Sequence, residues 1–251
     1  MEDYYYLNKV RAKTPLVHCI TNIVVANFQA NGLLALGASP VMADAVEEAP
    51  EIAAAANCTV LNIGTLSKET IEAMILAGKS ANQHNIPVVL DPVGAGATQF
   101  RKATVFRILE EVNVSLIRCN AGELATIAGV EWRARGVDAG EGDVDLPTLA
   151  RETARRFHCI VAVTGETDVV SDGKRVKEIA GGHPLMSKIT GSGCLLSAVV
   201  GAYLAVSVGE NFAATYEALA FYKKAGEKAA QKSQQPGHFA VHFLDELYGD
   251  M

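Results

Sequence analysis

The chain has 251 residues, 49% of them apolar, a net charge of −6 and five cysteines. An acidic balance with no basic stripe argues against a nucleic-acid surface. No apolar run reaches the ~18 residues of a membrane span, and the acidic, tyrosine-rich start is unlike a secretion signal, so the expectation is a cytoplasmic protein. The cysteine count is odd and holds no Cys-x-x-Cys pair, which gives neither a zinc site nor a disulfide framework any spacing support.

Short apolar runs predict strands over 16–19, 40–42, 59–63, 88–91, 116–119 and 160–164, followed by a pair over 168–170 and 176–179. That last pair flanks Asp172-Gly173 and reads as a hairpin at a sheet edge. Helix-period segments lie between and after them, over 22–36, 49–56, 67–84, 104–111, 121–128, 146–157, 193–207, 211–233 and 240–247. Apolar strands alternating with helices imply an α/β fold with a mostly parallel central sheet and helices on both faces. The stretch 131–145, rich in Gly, Asp and Arg, reads as a surface loop whose acids lack calcium-loop spacing. No linker or repeat interrupts the pattern, so residues 1–251 are expected to form one domain.

In an open parallel sheet, ligands bind beyond the carboxyl ends of the strands. Several predicted strands end in chemistry-bearing residues that would meet on one rim: Asn22, Asn62 to Thr65 with Gly64 between them, Asp91 before a Pro-Val-Gly-Ala-Gly turn, Arg118 and Asn120, and Thr164. Asp91 suits a magnesium–phosphate site or a turn cap. Arg118 suits a phosphate clamp. Glu123 suits either magnesium or the dipole of the helix it opens. Asn22 is equally a helix N-cap, Asn27 and Asn31 share a helix face, and Met42 reads as core. Cys58, Cys119 and Cys159 sit in apolar runs and read as small hydrophobes. Lys223-Lys224 reads as a solvated helix face.

The sharpest signal is Thr190-Gly-Ser-Gly-Cys-Leu195. Gly191 and Gly193 flank a small residue just before a long apolar helix pattern, so free backbone N–H groups at a helix start can face an anion. Cys194 closes the turn, where a thiol is expected to have a lowered pKa.

Taken with Pro15-Leu-Val-His-Cys-Ile-Thr-Asn22, Leu34-Ala-Leu-Gly-Ala-Ser-Pro-Val-Met42, Asn62-Ile-Gly-Thr65, Asp91-Pro-Val-Gly-Ala-Gly96, Arg118-Cys-Asn-Ala-Gly-Glu123, Gly136-Val-Asp138 and Ala162-Val-Thr-Gly-Glu166, this motif makes the chain resemble the hydroxyethylthiazole kinase family of the ribokinase-like superfamily along nearly its whole length. The resemblance implies a ribokinase-like fold and ATP-dependent phosphorylation of the hydroxyl of 4-methyl-5-(2-hydroxyethyl)thiazole, in thiamine biosynthesis or salvage. It also implies Mg2+ and a homotrimer with active sites at subunit interfaces. On that resemblance Met42, Gly191, Asn22 and Gly64 line the substrate site, and Arg118, Thr164, Asn120 and Gly193 bind ATP. Asp91 and Glu123 serve the metal, and Cys194 stands beside the attacking hydroxyl as base or as positioner. Superfamily relatives usually carry aspartate at the Cys194 position, so the cysteine points to the thiazole branch. Two rivals share the fold: a kinase for hydroxymethylpyrimidine or another vitamin alcohol, and a nucleotide-binding regulatory or dehydratase-like protein without kinase activity.

Overall fold

The computed structural model describes residues 4–130 and 145–249. Of the loop expected over 131–145, residues 131–144, with the Gly136-Val-Asp138 segment, lie outside the described residues. One sheet carries β1 (Leu16–Ile20), β2 (Ser39–Val41), β3 (Cys58–Asn62), β4 (Val88–Asp91), β5 (Leu116–Asn120), β6 (Ile160–Thr164), β7 (Asp168–Ser171) and β8 (Val176–Ile179). Their spatial order is β2-β1-β3-β4-β5-β6-β7-β8. The first six run parallel, β7 is antiparallel to β6, and β8 is antiparallel to β7, which places the Asp172-Gly173 turn on the edge hairpin as expected.

The helices are α1 (Tyr5–Lys13), α2 (Ala26–Leu36), α3 (Ala49–Ala55), α4 (Lys68–Gln83), α5 (Gln99–Glu111), α6 (Ala121–Ala128), α7 (Leu146–Phe157), α8 (Ser192–Leu204), α9 (Asn211–Lys232) and α10 (Pro236–Tyr248). Side chains of a strand alternate between its faces, and the two cores follow that alternation. Val60, Val89, Leu116 and Ala162 face a cluster built with α1, α2, α8, α9 and α10. Leu61, Val88, Leu90, Ile117 and Val161 face the cluster that includes α4, α5, α6 and α7. Cys58, Cys119 and Cys159 are buried within these clusters.

Three local expectations need correction, and helix α1 is an addition to the expected elements. Helix α2 starts at Ala26, not at residue 22, because residues 22–25 form a turn closed by Val25 N–H donating to the Asn22 carbonyl at 3.2 Å; Asn22 is therefore not its cap. Helix α5 starts five residues earlier than expected, at Gln99, where the Thr98 hydroxyl accepts from Arg101 N–H. Helix α1 has too short an apolar stripe to be read from periodicity, and its first N–H donors are satisfied from afar: Tyr6 and Leu7 N–H donate to Glu217 of α9 at 2.8 and 3.0 Å. Finally, Lys223 and Lys224 do not share a solvated face. Lys224 is exposed and pairs with Glu227, whereas Lys223 is buried.

Helix α8 fixes the geometry of the rim. Ten consecutive residues from Leu195 to Leu204 are buried, as expected of a helix enclosed on all sides. Ser197 bonds the last residue of β4, while a Cβ at Gly201 would lie 3.0 Å from Val60 and 3.3 Å from Cys58 near the start of β3. The helix thus runs antiparallel to the strands. Its N-terminus projects over their carboxyl ends.

Candidate active site

That N-terminus is built to stay open. Gly191 holds φ at +86°, and a Cβ there would stand 2.6 Å from Val25 Cγ1, so conformation and space both call for glycine. No side chain among the described residues caps the helix, and helix geometry leaves the N–H groups of its first turn without intrahelical partners. The surrounding carbonyl and hydroxyl groups are occupied elsewhere. The Ser192 hydroxyl donates to the Met186 carbonyl at 2.7 Å, Tyr222 donates to the Ser192 carbonyl at 2.5 Å, and Gln29 donates to the Cys194 carbonyl at 2.7 Å. These bonds orient the first turn of α8 and leave its donors facing outward.

Beside it lies a charged cluster from three strand ends. Asp91 is fully buried at the end of β4; its Oδ2 accepts from Asn62 and from Ser197, each at 2.8 Å. Its Oδ1 has no hydrogen-bond partner among the described residues and faces Arg118 Nη1 at 3.7 Å. Arg118 also donates to the Thr164 hydroxyl, which joins the ends of β5 and β6. A Cβ at Gly193 would lie 2.9 Å from both terminal guanidinium nitrogens. The guanidinium therefore rests against the open helix start, and two sources of positive potential meet at one point. Burial pushes the Asp91 carboxyl up to about 6, against the downward pull of Arg118 and of the bonds from Ser197 and Asn62. Burial opposes the charge on Arg118 as well, but Asp91 and Glu123 hold its pKa above the usual arginine range.

The remaining expected residues divide. Asn22 joins the cluster, donating to Asn62 at 3.0 Å and standing 3.5 Å from Cys194 Sγ. Gly64 packs so closely on Asn22 that a Cβ would sit 2.6 Å from its amide nitrogen. Asn120 and Glu123 form a reciprocal capping box on α6, and Glu123 Oε1 also accepts from Gly94 N–H at 2.8 Å. Both carboxylate oxygens of Glu123 thus have backbone donors, which ties the turn after β4 to the start of α6. Met42 follows the end of β2 at the sheet edge, and its partly buried side chain packs against the apolar cluster that contains Leu195.

Residues 7–249 match the family model of the Hydroxyethylthiazole kinase family. A hydroxyethylthiazole kinase of Haemophilus influenzae is 56% identical over 243 residues, spanning 96% of this chain and 92% of the relative. The chain belongs to the hydroxyethylthiazole kinase family. A solved structure titled as the hydroxyethylthiazole kinase protein of Pyrococcus horikoshii superposes with a TM-score of 0.90 at 43% identity, covering 99% of this chain and 93% of that one. A ribokinase-like superfamily protein of Enterococcus faecalis shares the fold alone, with a TM-score of 0.65 at 10% identity.

Within this hydroxyethylthiazole kinase family member, the expected lowering of the Cys194 pKa is overturned. Burial pushes the thiol up to about 11 and the Asp91 charge adds to the rise; the bonds from Asn62 and Asn22 and the nearby Arg118 only soften it. A helix terminus contributes at most about 2 kcal/mol, and desolvation outweighs that here. Cys194 is consequently a thiol at neutral pH. Iodoacetamide modification of Cys194, followed by peptide mass spectrometry, is expected to be slow at neutral pH and to accelerate as pH rises toward about 11. Rapid modification at neutral pH would contradict it.

Sequence reasoning missed two residues that hold this cluster together. Ser197 lies one turn beyond Cys194 on the same helix face, and that i,i+3 spacing was an available signal. Arg101 donates to the carbonyls of Ile63, Val93 and Gly64, each at 2.7 Å, locking the turns after β3 and β4 together. No local pattern marks it.

Proposed function

We propose that residues 1–251 act as a single kinase domain that transfers the γ-phosphoryl group of ATP to the hydroxyl of 4-methyl-5-(2-hydroxyethyl)thiazole, in thiamine biosynthesis or salvage. The observation that carries this reading is Arg118, whose guanidinium rests against Gly193 at the open start of α8 while pairing with Asp91 and Thr164. Phosphoryl transfer passes through a loose transition state with charge spread over the transferred oxygens, and catalysis is mainly positioning and charge neutralisation. The N–H groups at the start of α8 and the Arg118 guanidinium supply fixed positive potential at one point. Thr164 and Arg118 hold the nucleotide side, with Asn120 and Gly193 adjoining. Asn22, Gly64, Gly191 and Met42 line the alcohol side.

Cys194 positions the acceptor hydroxyl. A thiol with a pKa near 11 is a poor proton acceptor at neutral pH, and a loose transition state needs little proton abstraction before the phosphoryl group moves. The Asn22 amide, 3.5 Å from Sγ, fixes the thiol's orientation.

The residues fit Mg2+ in the mode that uses one or two carboxylates together with substrate phosphates. Asp91 offers a buried carboxylate oxygen without a hydrogen-bond partner among the described residues, and Glu123 is the second hard donor. Among those residues no group of three or more His, Cys, Asp or Glu forms an all-protein cage. Bound there with ATP, the metal would supply neutralisation of phosphate charge. We further propose a homotrimer with the alcohol pocket at subunit interfaces. The apolar side chains Ile23 and Val24, 82% and 62% exposed immediately after Asn22, support it. Among the described residues no helix is long and apolar enough to cross a membrane, and a cytoplasmic location accompanies this reading.

The deciding experiment measures ADP release with ATP, Mg2+ and either the thiazole alcohol or hydroxymethylpyrimidine, and with no alcohol. Turnover with the thiazole alcohol is expected. Turnover confined to the pyrimidine, or ATP consumption independent of any alcohol, would overturn the assignment.

A further inference from the structure

Lys223, in the middle of α9, places its ammonium inside a cage of four oxygens. It donates to the backbone carbonyls of Gly165, Glu166 and Gly181 at 3.2, 2.8 and 3.1 Å, and lies 3.2 Å from Asp168 Oδ1. The side chains of Lys223 and Asp168 are 8% and 4% exposed, so the pair is sheltered from screening. An ammonium has three donors and no acceptor capacity; here all three find carbonyls from two separate chain segments.

Those segments flank the site. Gly165 and Glu166 continue from Thr164 at the end of β6, on the nucleotide side, and Asp168 Oδ1 accepts from Gly165 N–H at 3.0 Å, closing that turn on itself. Gly181 and Gly182 lead through a 3-10 turn over Pro184–Lys188 into Gly191. Both glycines hold positive φ, +110° and +83°, and a Cβ at Gly181 would sit 2.6 Å from Glu227 Oε1, so the segment is shaped to lie against α9. Glu227 Oε1 in turn accepts from Gly182 N–H at 3.1 Å. The neighbouring residue, Tyr222, donates to Ser192 in the first turn of α8. Two adjacent residues of one helix therefore grip the nucleotide-side turn, the approach segment and the open helix start together.

We propose that Lys223 is a positioning residue: a cation tethered to α9 that holds the Thr164–Asp168 turn in register with the start of α8, so that one phosphate chain can engage Thr164, Arg118 and Gly193 at once. The proposal rests on reading the Thr164 end as the nucleotide side. It implies that a small free cation can replace the ammonium once the tether is cut, because the cage is made of oxygens that persist without the side chain.

The test compares the wild-type protein with Lys223→Ala and Lys223→Met, using calorimetric titration with ATP and Mg2+ alongside steady-state kinetics, each in tetramethylammonium, ammonium or potassium chloride at equal ionic strength. In tetramethylammonium, Lys223→Ala is expected to lose on the order of tenfold in ATP affinity, with the KM for the alcohol little changed. Ammonium or potassium is expected to restore most of that loss saturably in Lys223→Ala, less in Lys223→Met, whose side chain fills the space, and to leave the wild type unaffected. Unchanged ATP affinity in Lys223→Ala, or a loss that no small cation recovers, would overturn the proposal. If Lys223→Ala does not fold, Asp168→Asn, which keeps the bond to Gly165 N–H while weakening the cage, is expected to weaken ATP binding and leave the alcohol KM unchanged; equal effects on both would overturn it. Because ATP binding is read directly, absent turnover of the thiazole alcohol by the wild type would count against the proposed function and not against Lys223.

Discussion

Arg118→Met is expected to lower kcat by about 10²- to 10³-fold and to destabilise the protein by about 3 kcal/mol. Both effects have the same origin. The guanidinium links Asp91, Thr164 and the start of α8, and methionine fills much of its volume without its charge. Asp91 stays fully buried, keeps its bonds from Asn62 and Ser197, and loses the positive neighbour that holds its pKa down. Burial already raises that pKa to about 6, so in the variant Asp91 moves further toward its neutral form and its value as a hard donor falls with it. Arg118→Lys is expected to recover part of the stability and little of the turnover, since an ammonium is a point charge that does not reproduce the planar fork. Steady-state kinetics and denaturant unfolding of the two variants check this. Near-wild-type turnover in Arg118→Met would remove Arg118 from the proposed chemistry.

The second large effect is expected at the helix start. Gly191→Ala places a methyl group at φ +86° and within 2.6 Å of Val25 Cγ1. An L-residue pays about 1–2 kcal/mol in that region, and the turn relieves the clash by rotating the first peptides of α8. Those peptides carry the donors proposed to hold the transferred phosphoryl group, and loss of one such donor lowers kcat by about 10²- to 10³-fold. A matching fall in kcat and kcat/KM, with a modest drop in Tm, is the expected signature of an interaction made in the transition state. A drop in Tm with kcat unchanged would make Gly191 a packing residue only.

Much of the architecture was legible in the chain. Parallel strands buried on both faces read as apolar runs bounded by Gly, Pro and polar residues; β4, β6 and β8 coincide with the expected segments, and the other strands differ by one residue at an end or at both. The same logic anticipated that Asn22, Gly64, Asp91, Arg118 and Thr164 meet on one rim, because parallel strands deliver all their carboxyl ends to the same side. Helix starts were less legible. Residues 22–25 continue the apolar pattern of α2 although the backbone there is a turn, and α5 begins ahead of its apolar stripe because a threonine cap starts it.

By itself the sequence determined the α/β architecture, the shared rim and the Gly-Ser-Gly-Cys turn at the head of α8, since each depends on local periodicity or on conformations that glycine alone adopts readily. Only the tertiary structure decided the charge states and the wiring. Asn22 and Cys194 are 172 positions apart and Asp91 and Ser197 are 106 apart, and no local pattern encodes such pairs. Burial likewise belongs to the assembled fold: it keeps Cys194 a thiol at neutral pH and turns Lys223 from a presumed surface charge into an internal cation. Spacing along the chain specifies which groups can point the same way; desolvation and distant partners set what those groups can do there.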